Sequence, residues 1–367
     1  MRRILWSLGA AVILMAMQCA AARTEILIGM AGALTGPAAY QGEQEQQGVE
    51  TAVADLNASG GVLGQQIKLI SVDDACDGAQ AIAAAYRLVA AKVSFVVGHQ
   101  CSGASIPAAE IYQRAGIIQM TPSSTNPRLT EEGRANVFRI CGRDDQQGAI
   151  AGDFLATRWR GAKIAIVSDD SVYGKGLAEE VRRQINKHGV AETLYEDLTP
   201  GQSDYSPLIA KLQASGVEVT YFGGYYREAA LLVRSAHEQG YTMQLVSGDS
   251  IASDAFAQVA GEAGEGTLFT SFRDPRRTAV AEPVVARLRQ QGFEPEGYTL
   301  YSYAAVQAWA QAAAKAGSVE AKAVITALRT GGFDTILGPI SFDHKGDVRQ
   351  PGFEWFIWRG GKYVPLK

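Results

Sequence analysis

The sequence is poor in the residue types that most reactive sites require. It has four histidines and four cysteines in 367 residues, and the histidines form no cluster of the zinc-binding kind. It also lacks a P-loop, a glycine-rich dinucleotide motif after the first predicted strand, and a G-x-S-x-G nucleophile elbow. A Cys101–His99 nucleophile pair is disfavoured because no third group stands ready to orient it. We therefore expect no metal, no cofactor and no catalysis.

Positive charge is not in surplus either. The 34 basic residues are outnumbered by 38 acidic ones, for a net charge of −4. A chain of this charge is ill suited to neutralising a phosphate backbone, so we do not expect nucleic acid as a partner. The composition, 47% hydrophobic and 20% charged, is that of an ordinary globular protein, and the length predicts two domains.

A single long apolar stretch stands at the N-terminus. Residues 1–22 combine two arginines, an apolar run at 4–17 and three alanines before a predicted cleavage after Ala22. The run is shorter than the roughly 20 residues of a membrane span, which argues against an anchor. A lipoprotein site at Cys19 is disfavoured by the bulky Gln18. We predict a cleaved signal peptide and an exported protein with 32 basic and 38 acidic residues, a net charge of −6.

Export leaves three cysteines, Cys76, Cys101 and Cys141. An oxidising compartment permits a disulfide, and Cys76 and Cys101 each lie near the end of a predicted strand. One interpretation is therefore a bridge between neighbouring loops, with Cys141 left over and buried. The other is three unpaired buried thiols.

Short apolar strands alternate with amphipathic helices along two successive stretches of the chain. This pattern predicts an α/β fold with parallel sheets covered by helices on both faces. The alternation breaks at residues 142–147, and after Phe272 the pattern turns helical. Such an order would make the chain cross between two lobes more than once, which suits a hinge that closes around a ligand.

Three loops at the carboxyl ends of predicted strands carry hydroxyls or tight turns. They span residues 98–103, 121–125 and 168–174. Ligands of open α/β sheets bind at such ends, where free N–H groups at helix starts favour an anion. Ser102 could be a plain helix N-cap or could also offer its hydroxyl to a carboxylate, and the pattern alone leaves both open.

Seven segments, in order and over essentially the whole length after the signal, carry a family resemblance. The chain resembles the periplasmic leucine/isoleucine/valine-binding proteins, which are the substrate-binding proteins of branched-chain amino acid ABC transporters. The segments are GALTGPAAYQG (32–42), VDDACDGAQA (72–81), VVGHQCSGAS (96–105), TPSSTNPRLT (121–130), YGKGLA (173–178), YFGGYYRE (221–228) and GPISFDHKGD (338–347).

The resemblance implies a type I periplasmic binding protein fold, with two Rossmann-like lobes joined by three crossover strands and a ligand cleft between them. It also implies that Cys76 pairs with Cys101 and that Cys141 has no partner. The implied lobes are residues 23–143 plus 273–341 for lobe I and 144–272 plus 342–367 for lobe II.

The family's ligand site carries over to particular positions. The ligand carboxylate is implied to meet Ser102 and Thr125, and its ammonium the Ser123 carbonyl and Asp249. Tyr173 and Tyr225 are implied to close over the ligand from the second lobe, although packing at a domain seam would also account for them. The remaining implied pocket residues are Gln100, Cys101, Tyr40 and Gln41.

Two positions depart from the family pattern. Asp249 stands where a glutamate is common, one methylene shorter. Gln100 stands where the residue is often apolar, and a polar wall disfavours an aliphatic ligand if its amide lacks partners. The implied function is capture of an α-amino acid, branched-chain or related, by a periplasmic monomer that delivers it to an inner-membrane ABC permease. The alternative is a sensory or regulatory receptor of the same fold for amides or for aliphatic or aromatic acids, which would not need Asp249.

Overall fold

The computed structural model describes residues 25–367. The predicted signal peptide, residues 1–22, lies outside the described residues. Within residues 25–367, no helix has both the length and the hydrophobicity needed to cross a membrane.

The first half of the chain builds a five-stranded parallel sheet, whose strands are short and mostly buried. They are β1 (Ile26–Gly32), β2 (Ile67–Asp73), β3 (Phe95–Gly98), β4 (Ile118–Thr121) and β5 (Val137–Arg139). The strand order is β2-β1-β3-β4-β5. We call the part of the molecule built on this sheet the first lobe.

Four helices connect these strands. They are α1 (Ala39–Ala58), α2 (Gly78–Ala90), α3 (Ser102–Ala115) and the short α4 (Arg128–Glu131). Asp77 caps α2 by accepting the Gln80 N–H, and Gly116 ends α3 in the left-handed region at φ 67°. Because parallel strands need such crossovers, the starts of the connecting helices gather at one edge of the sheet.

A second sheet follows, and it is also parallel through its first five strands. These are β6 (Ile164–Ser168), β7 (Leu194–Asp197), β8 (Val219–Gly223), β9 (Gln244–Ser247) and β10 (Leu268–Phe272). The helices of this part are α5 (Asp144–Arg158), α6 (Val172–Lys187), α7 (Ser206–Ala214), α8 (Tyr226–Glu238) and α9 (Asp254–Ala260), with 3₁₀ turns at Asp249–Ile251, Gly261–Gly264 and Pro275–Arg277. We call this part the second lobe.

The last quarter of the chain completes both lobes. It contains α10 (Glu282–Gln290), α11 (Thr299–Ala316), α12 (Ala321–Thr330), β11 (Gly332–Thr335), β12 (Gly338–Ser341), β13 (Phe353–Arg359) and β14 (Lys362–Pro365). Helix α11 joins the core of the first lobe, where Trp309 stacks on Phe95 at 5.0 Å between ring centroids. Strand β13 extends the second sheet antiparallel to β10, and β14 pairs antiparallel with β13 at the edge. The α/β prediction is confirmed.

The chain therefore passes between the two sheets three times, and the exact lobe limits stay a prediction. Phe342 and Val348 pack in the core of the first lobe with Phe138. We accordingly propose that the third crossing follows Val348 rather than residue 341.

Candidate functional site

A small cavity lies between the lobes, at the carboxyl ends of the strands of both sheets. Its free volume is only about 10 Å³, so the side chains of the two lobes nearly meet. The first lobe contributes five of its lining side chains and the second lobe four. They are Gln41, Gln100, Ser102, Ser123 and Tyr298 from the first lobe, and Tyr173, Tyr225, Asp249 and Ser250 from the second. Seven of these nine were predicted from the sequence.

Hydroxyl groups occupy the first-lobe side of the cavity. Ser102 is the first residue of α3, and its Oγ accepts the Asn126 N–H at 3.2 Å, which leaves the hydroxyl proton free to donate. Thr125, in the neighbouring loop, is buried with its hydroxyl beside the Asp144 carboxylate, and it is not one of the cavity-lining residues. A helix start flanked by hydroxyl donors suits a carboxylate.

Arg139 holds the hydroxyl-bearing loop in place. Its buried guanidinium donates to the carbonyl oxygens of Ser124 at 3.0 Å and Asn126 at 2.9 Å. The same side chain is anchored by Asp347 at 2.8 Å. The backbone on both sides of Thr125 is thus fixed before any ligand arrives.

Asp249 is the acid of the second-lobe side. It begins the 3₁₀ turn after β9 and is buried, with 2% of its surface exposed. Its two carboxylate oxygens accept hydrogen bonds from the Tyr173 hydroxyl at 3.0 Å and the Tyr298 hydroxyl at 2.7 Å. Burial raises the pKa of Asp249, and the two tyrosine hydroxyls oppose that rise. Because both partners are neutral, the site has an unmet preference for a cation.

Two aromatic rings of the second lobe cover the acid. The rings of Tyr173 and Tyr225 lie 5.2 Å apart between centroids. Asp169 positions the second ring by accepting the Tyr225 N–H at 3.0 Å. Ser171 caps the helix that carries Tyr173 by accepting the Gly174 N–H.

Gln100 forms a polar wall whose hydrogen bonds are already made within the protein. Its Oε1 accepts the Ala33 N–H at 3.3 Å, and its Nε2 donates to the Ala38 carbonyl at 3.5 Å and to Gln41 Oε1 at 3.4 Å. Gln41 in turn donates to the Ser250 carbonyl at 2.8 Å, across the two lobes. The Gln100 amide therefore has its hydrogen-bond partners within the protein. Contact with an aliphatic ligand side chain would not leave it unpaired.

Tyr40 lies outside the cavity, and the wall predicted around Tyr40 and Gln41 is formed by Gln41. The Tyr40 hydroxyl donates to Glu296 at 2.7 Å, and the same Glu296 oxygen accepts the Asp254 N–H at 2.8 Å. The reason is helical geometry, since consecutive residues of α1 point about 100° apart.

Cys101 also lies outside the cavity, because its sulfur is bonded to Cys76 with the Cα atoms 5.4 Å apart. The implied disulfide is confirmed, Cys141 is a free buried cysteine, and the interpretation with three thiols is wrong. His99 is buried, with Nδ1 2.6 Å from Asp74 and Nε2 3.0 Å from the Tyr112 hydroxyl. Neither side chain is available for the nucleophile pair considered from the sequence.

Two cavity-lining residues, Tyr298 and Ser250, were not predicted from the sequence. Tyr298 stands just before α11, 49 residues after the acid that it contacts, and no motif marks it. It packs in the core of the first lobe, so its bond to Asp249 joins the two lobes. Ser250 directly follows Asp249, and this adjacency was the one signal available.

Direct contacts between the lobes keep the cavity closed. Besides the Gln41–Ser250 and Tyr298–Asp249 bonds, the Tyr226 hydroxyl donates to the Pro37 carbonyl at 2.8 Å, and Asn126 donates to the Val172 carbonyl at 2.9 Å. All are single neutral or singly charged hydrogen bonds, each contributing about 0.5–3 kcal/mol. The Asp254 N–H to Glu296 bond is a further contact of this kind between the lobes.

Comparison with known proteins decides the family. Residues 25–357 match the family described as periplasmic binding protein. The chain belongs to this family. It is 46% identical over 92% of its length to Leu/Ile/Val-binding protein homolog 1 of Brucella melitensis, covering 91% of that protein. It is 45% identical over 94% of its length to the amino acid binding protein of Pseudomonas aeruginosa, covering 93% of it.

A solved structure supports the same assignment. The branched-chain amino acid transporter substrate-binding protein LivJ of Streptococcus pneumoniae, in complex with isoleucine, superposes with a TM-score of 0.84. It is 26% identical, and the match covers 94% of this chain and 100% of that one. The type I periplasmic binding protein fold and the resemblance found in the sequence are confirmed.

Proposed function

We propose that this protein captures an α-amino acid, branched-chain or related, between its two lobes and delivers it to an ABC importer. The observation that carries the proposal is the polarity of the cavity. A buried acid with only neutral partners, Asp249, lies on one side, and hydroxyl groups at the start of α3 lie on the other. A molecule with one positive and one negative end fits this arrangement.

The zwitterion would lie with its ammonium toward Asp249 and the Ser123 carbonyl, and its carboxylate toward Ser102 and Thr125. Each charge-assisted hydrogen bond contributes about 1.5–3 kcal/mol, because the groups that make it are already desolvated and oriented. An ammonium also gives Asp249 the opposite charge that a buried carboxylate requires. A ligand without an ammonium would leave that charge uncompensated, which disfavours amides and simple acids.

The lobes themselves provide the mechanism of capture. Tyr173, Tyr225 and Asp249 belong to the second lobe and reach the ligand only when the lobes are together. A ligand that contacts both lobes binds the closed form more tightly than the open form. It therefore shifts the equilibrium toward the closed form, by an amount set by the difference between these two affinities. We propose that an inner-membrane permease recognises this closed form of a monomeric protein, while another chain hydrolyses ATP. The names of the relatives support amino acids and transport, and membership of a solute-binding family points away from catalysis.

Family membership also indicates the compartment. Periplasmic binding proteins are exported, and the disulfide Cys76–Cys101 suits an oxidising environment. We propose that residues 1–22 are the export signal and that cleavage follows Ala22.

The test is a thermal-shift panel of the twenty amino acids together with amides and aliphatic and aromatic acids. A ligand that binds only the folded protein raises the melting temperature. We expect the largest rise from an α-amino acid, and we expect Asp249→Asn to abolish it. If amides or simple acids raise the melting temperature, and still do so in Asp249→Asn, the result would instead support the receptor alternative.

A further inference from the structure

A second buried acid, Glu45, lies behind the cavity wall. It is on α1, is fully buried, and its Oε1 lies 2.5 Å from the hydroxyl oxygen of Ser123, a cavity-lining residue. Its Oε2 has no hydrogen-bond partner in the part of the chain that the structure describes. The mechanism above gives this acid no role.

The proton count at Ser123 indicates which form of Glu45 is present. Ser123 Oγ lies 2.5 Å from Glu45 Oε1 and 2.9 Å from the Gln100 carbonyl oxygen. A hydroxyl has one proton, so it can donate to only one of these two acceptors. If Glu45 carries a proton, it donates to Ser123, Ser123 donates to Gln100, and both contacts are hydrogen bonds.

The surroundings of Glu45 favour the same form. An ionised Glu45 would be a fully buried charge with one hydrogen bond and one bare oxygen, which is costly. The charged group that bears on it is Asp74, which follows β2 and pairs with His99 at 2.6 Å. Helix α11 packs on α1 at Gly48 with uncharged groups, the Thr299 backbone and the Ser302 side chain. Burial first, and then Asp74, raise the pKa of Glu45 to about 8, against the opposing Ser123 bond.

We propose that Glu45 is a positioning residue that holds the amino-acid site in its binding form as a neutral carboxylic acid that donates a hydrogen bond to Ser123. This inference rests on the proposed function. Loss of the proton would turn the Ser123 hydroxyl away from Gln100 and toward Glu45. The loop that carries Ser123 then loses its hydrogen bond to the Gln100 carbonyl, which helps to hold it in the binding position. Affinity therefore falls when Glu45 ionises.

The experiment is isothermal titration calorimetry of the best ligand of the panel between pH 6 and pH 9, on the wild type and on Glu45→Gln. Glutamine keeps a donor toward Ser123 and cannot ionise. We expect the wild type to bind about tenfold more weakly at pH 9 than at pH 6, as one proton lost near pH 8 requires. We expect Glu45→Gln to bind within about threefold of the wild type at pH 6 and to keep that affinity at pH 9. Deprotonation of the ligand's own amino group affects both proteins equally, so the difference between them isolates Glu45.

Parallel pH profiles of the two proteins would overturn the inference. If Glu45→Gln does not fold, Glu45→Met removes the same titration, and its profile must also lack the alkaline loss seen for the wild type. A readout without ligand separates this inference from the proposed function. The melting temperature of the wild type should fall relative to that of Glu45→Gln between pH 5 and pH 8, because the unfolded chain then releases a proton that the folded one retains. If the difference in melting temperature between the two proteins stayed constant over this range, Glu45 would already be ionised and the inference would be wrong. This readout does not depend on whether an amino acid binds.

Discussion

Asp249 and Asp347 are both buried carboxylates, yet the protein surrounds them in opposite ways. Asp347 accepts hydrogen bonds from two guanidinium groups, Arg139 and Arg143, each at 2.8 Å, and these hold its pKa below the usual range despite its burial. Asp249 has two tyrosine hydroxyls and no cation, and burial raises its pKa.

The difference separates a carboxylate that is paired within the fold from one that we propose is kept for a ligand. Asp347 has its full charge balance within the chain and ties the first lobe's loop to the crossing segment. Asp249 lacks that balance, and under the proposed function a ligand ammonium would supply the missing cation. Five predictions test this contrast, from the largest expected effect to the smallest.

Removing the charge of Asp347 should cost the most. Asp347→Asn leaves the buried Arg139 guanidinium without its anion, while Arg143 keeps Glu131 and Asp145, and it should lower the free energy of unfolding by about 3 kcal/mol. Urea unfolding followed by circular dichroism measures this. Asp145→Asn is the control, because Asp145 pairs with Arg143 while half exposed and should matter by less than about 1 kcal/mol. Equal losses in the two variants would contradict the structural role of Asp347.

Asp249→Ala should weaken amino-acid binding by more than about tenfold, because the ligand ammonium loses its only carboxylate partner. Calorimetry on the mature protein measures the change. An unchanged affinity would remove the ammonium role.

The pH dependence of stability should also separate the two acids. The folded-state pKa of Asp347 is lowered, so its contribution is present above the unfolded value of 3.8 and is lost as the pH falls through the folded value. The folded-state pKa of Asp249 is raised, so stability declines as the pH rises from 3.8 through that value. Without ligand, Asp249→Asn should therefore raise the melting temperature more at pH 7 than at pH 3. The same shift at both pH values would argue against a buried, cation-free carboxylate.

Tyr298→Phe should reduce affinity by about threefold to tenfold, the value of one hydrogen bond that orients Asp249 and joins the lobes. The matched control is Tyr301→Phe. Tyr301 lies in the first turn of α11, and its hydroxyl donates to the Arg273 carbonyl rather than to a cavity-lining residue. Calorimetry on both variants gives the comparison. Similar losses would mean that the effect arises from the packing of α11.

Ser102→Ala should have the smallest effect, about twofold to threefold. The N–H groups at the start of α3 remain after the substitution and still bind the carboxylate. The same calorimetric series measures it. A loss as large as that of Asp249→Ala would reverse the ranking of the two ends of the ligand.

Much of the fold could be predicted because its signals are local. Apolar strands followed by amphipathic helices predicted parallel sheets, and the helical return after Phe272 predicted a chain that crosses between lobes. Strand β5, with three residues, escaped prediction because so short a run has no period to detect. The hydroxyl-bearing loops were found because strand ends and helix starts carry recognisable residues.

By itself the sequence determined which residue types stand at the ends of its strands, and through family resemblance it identified Asp249, Ser102 and the Cys76–Cys101 pair. Only the tertiary structure decided that Gln41 rather than Tyr40 faces the cavity, that Tyr298 reaches Asp249, and that Glu45 lies against Ser123, 78 residues away. Periodicity along a chain reports which face of an element is buried. It does not report which distant side chain arrives there, because that depends on how whole helices and sheets pack together.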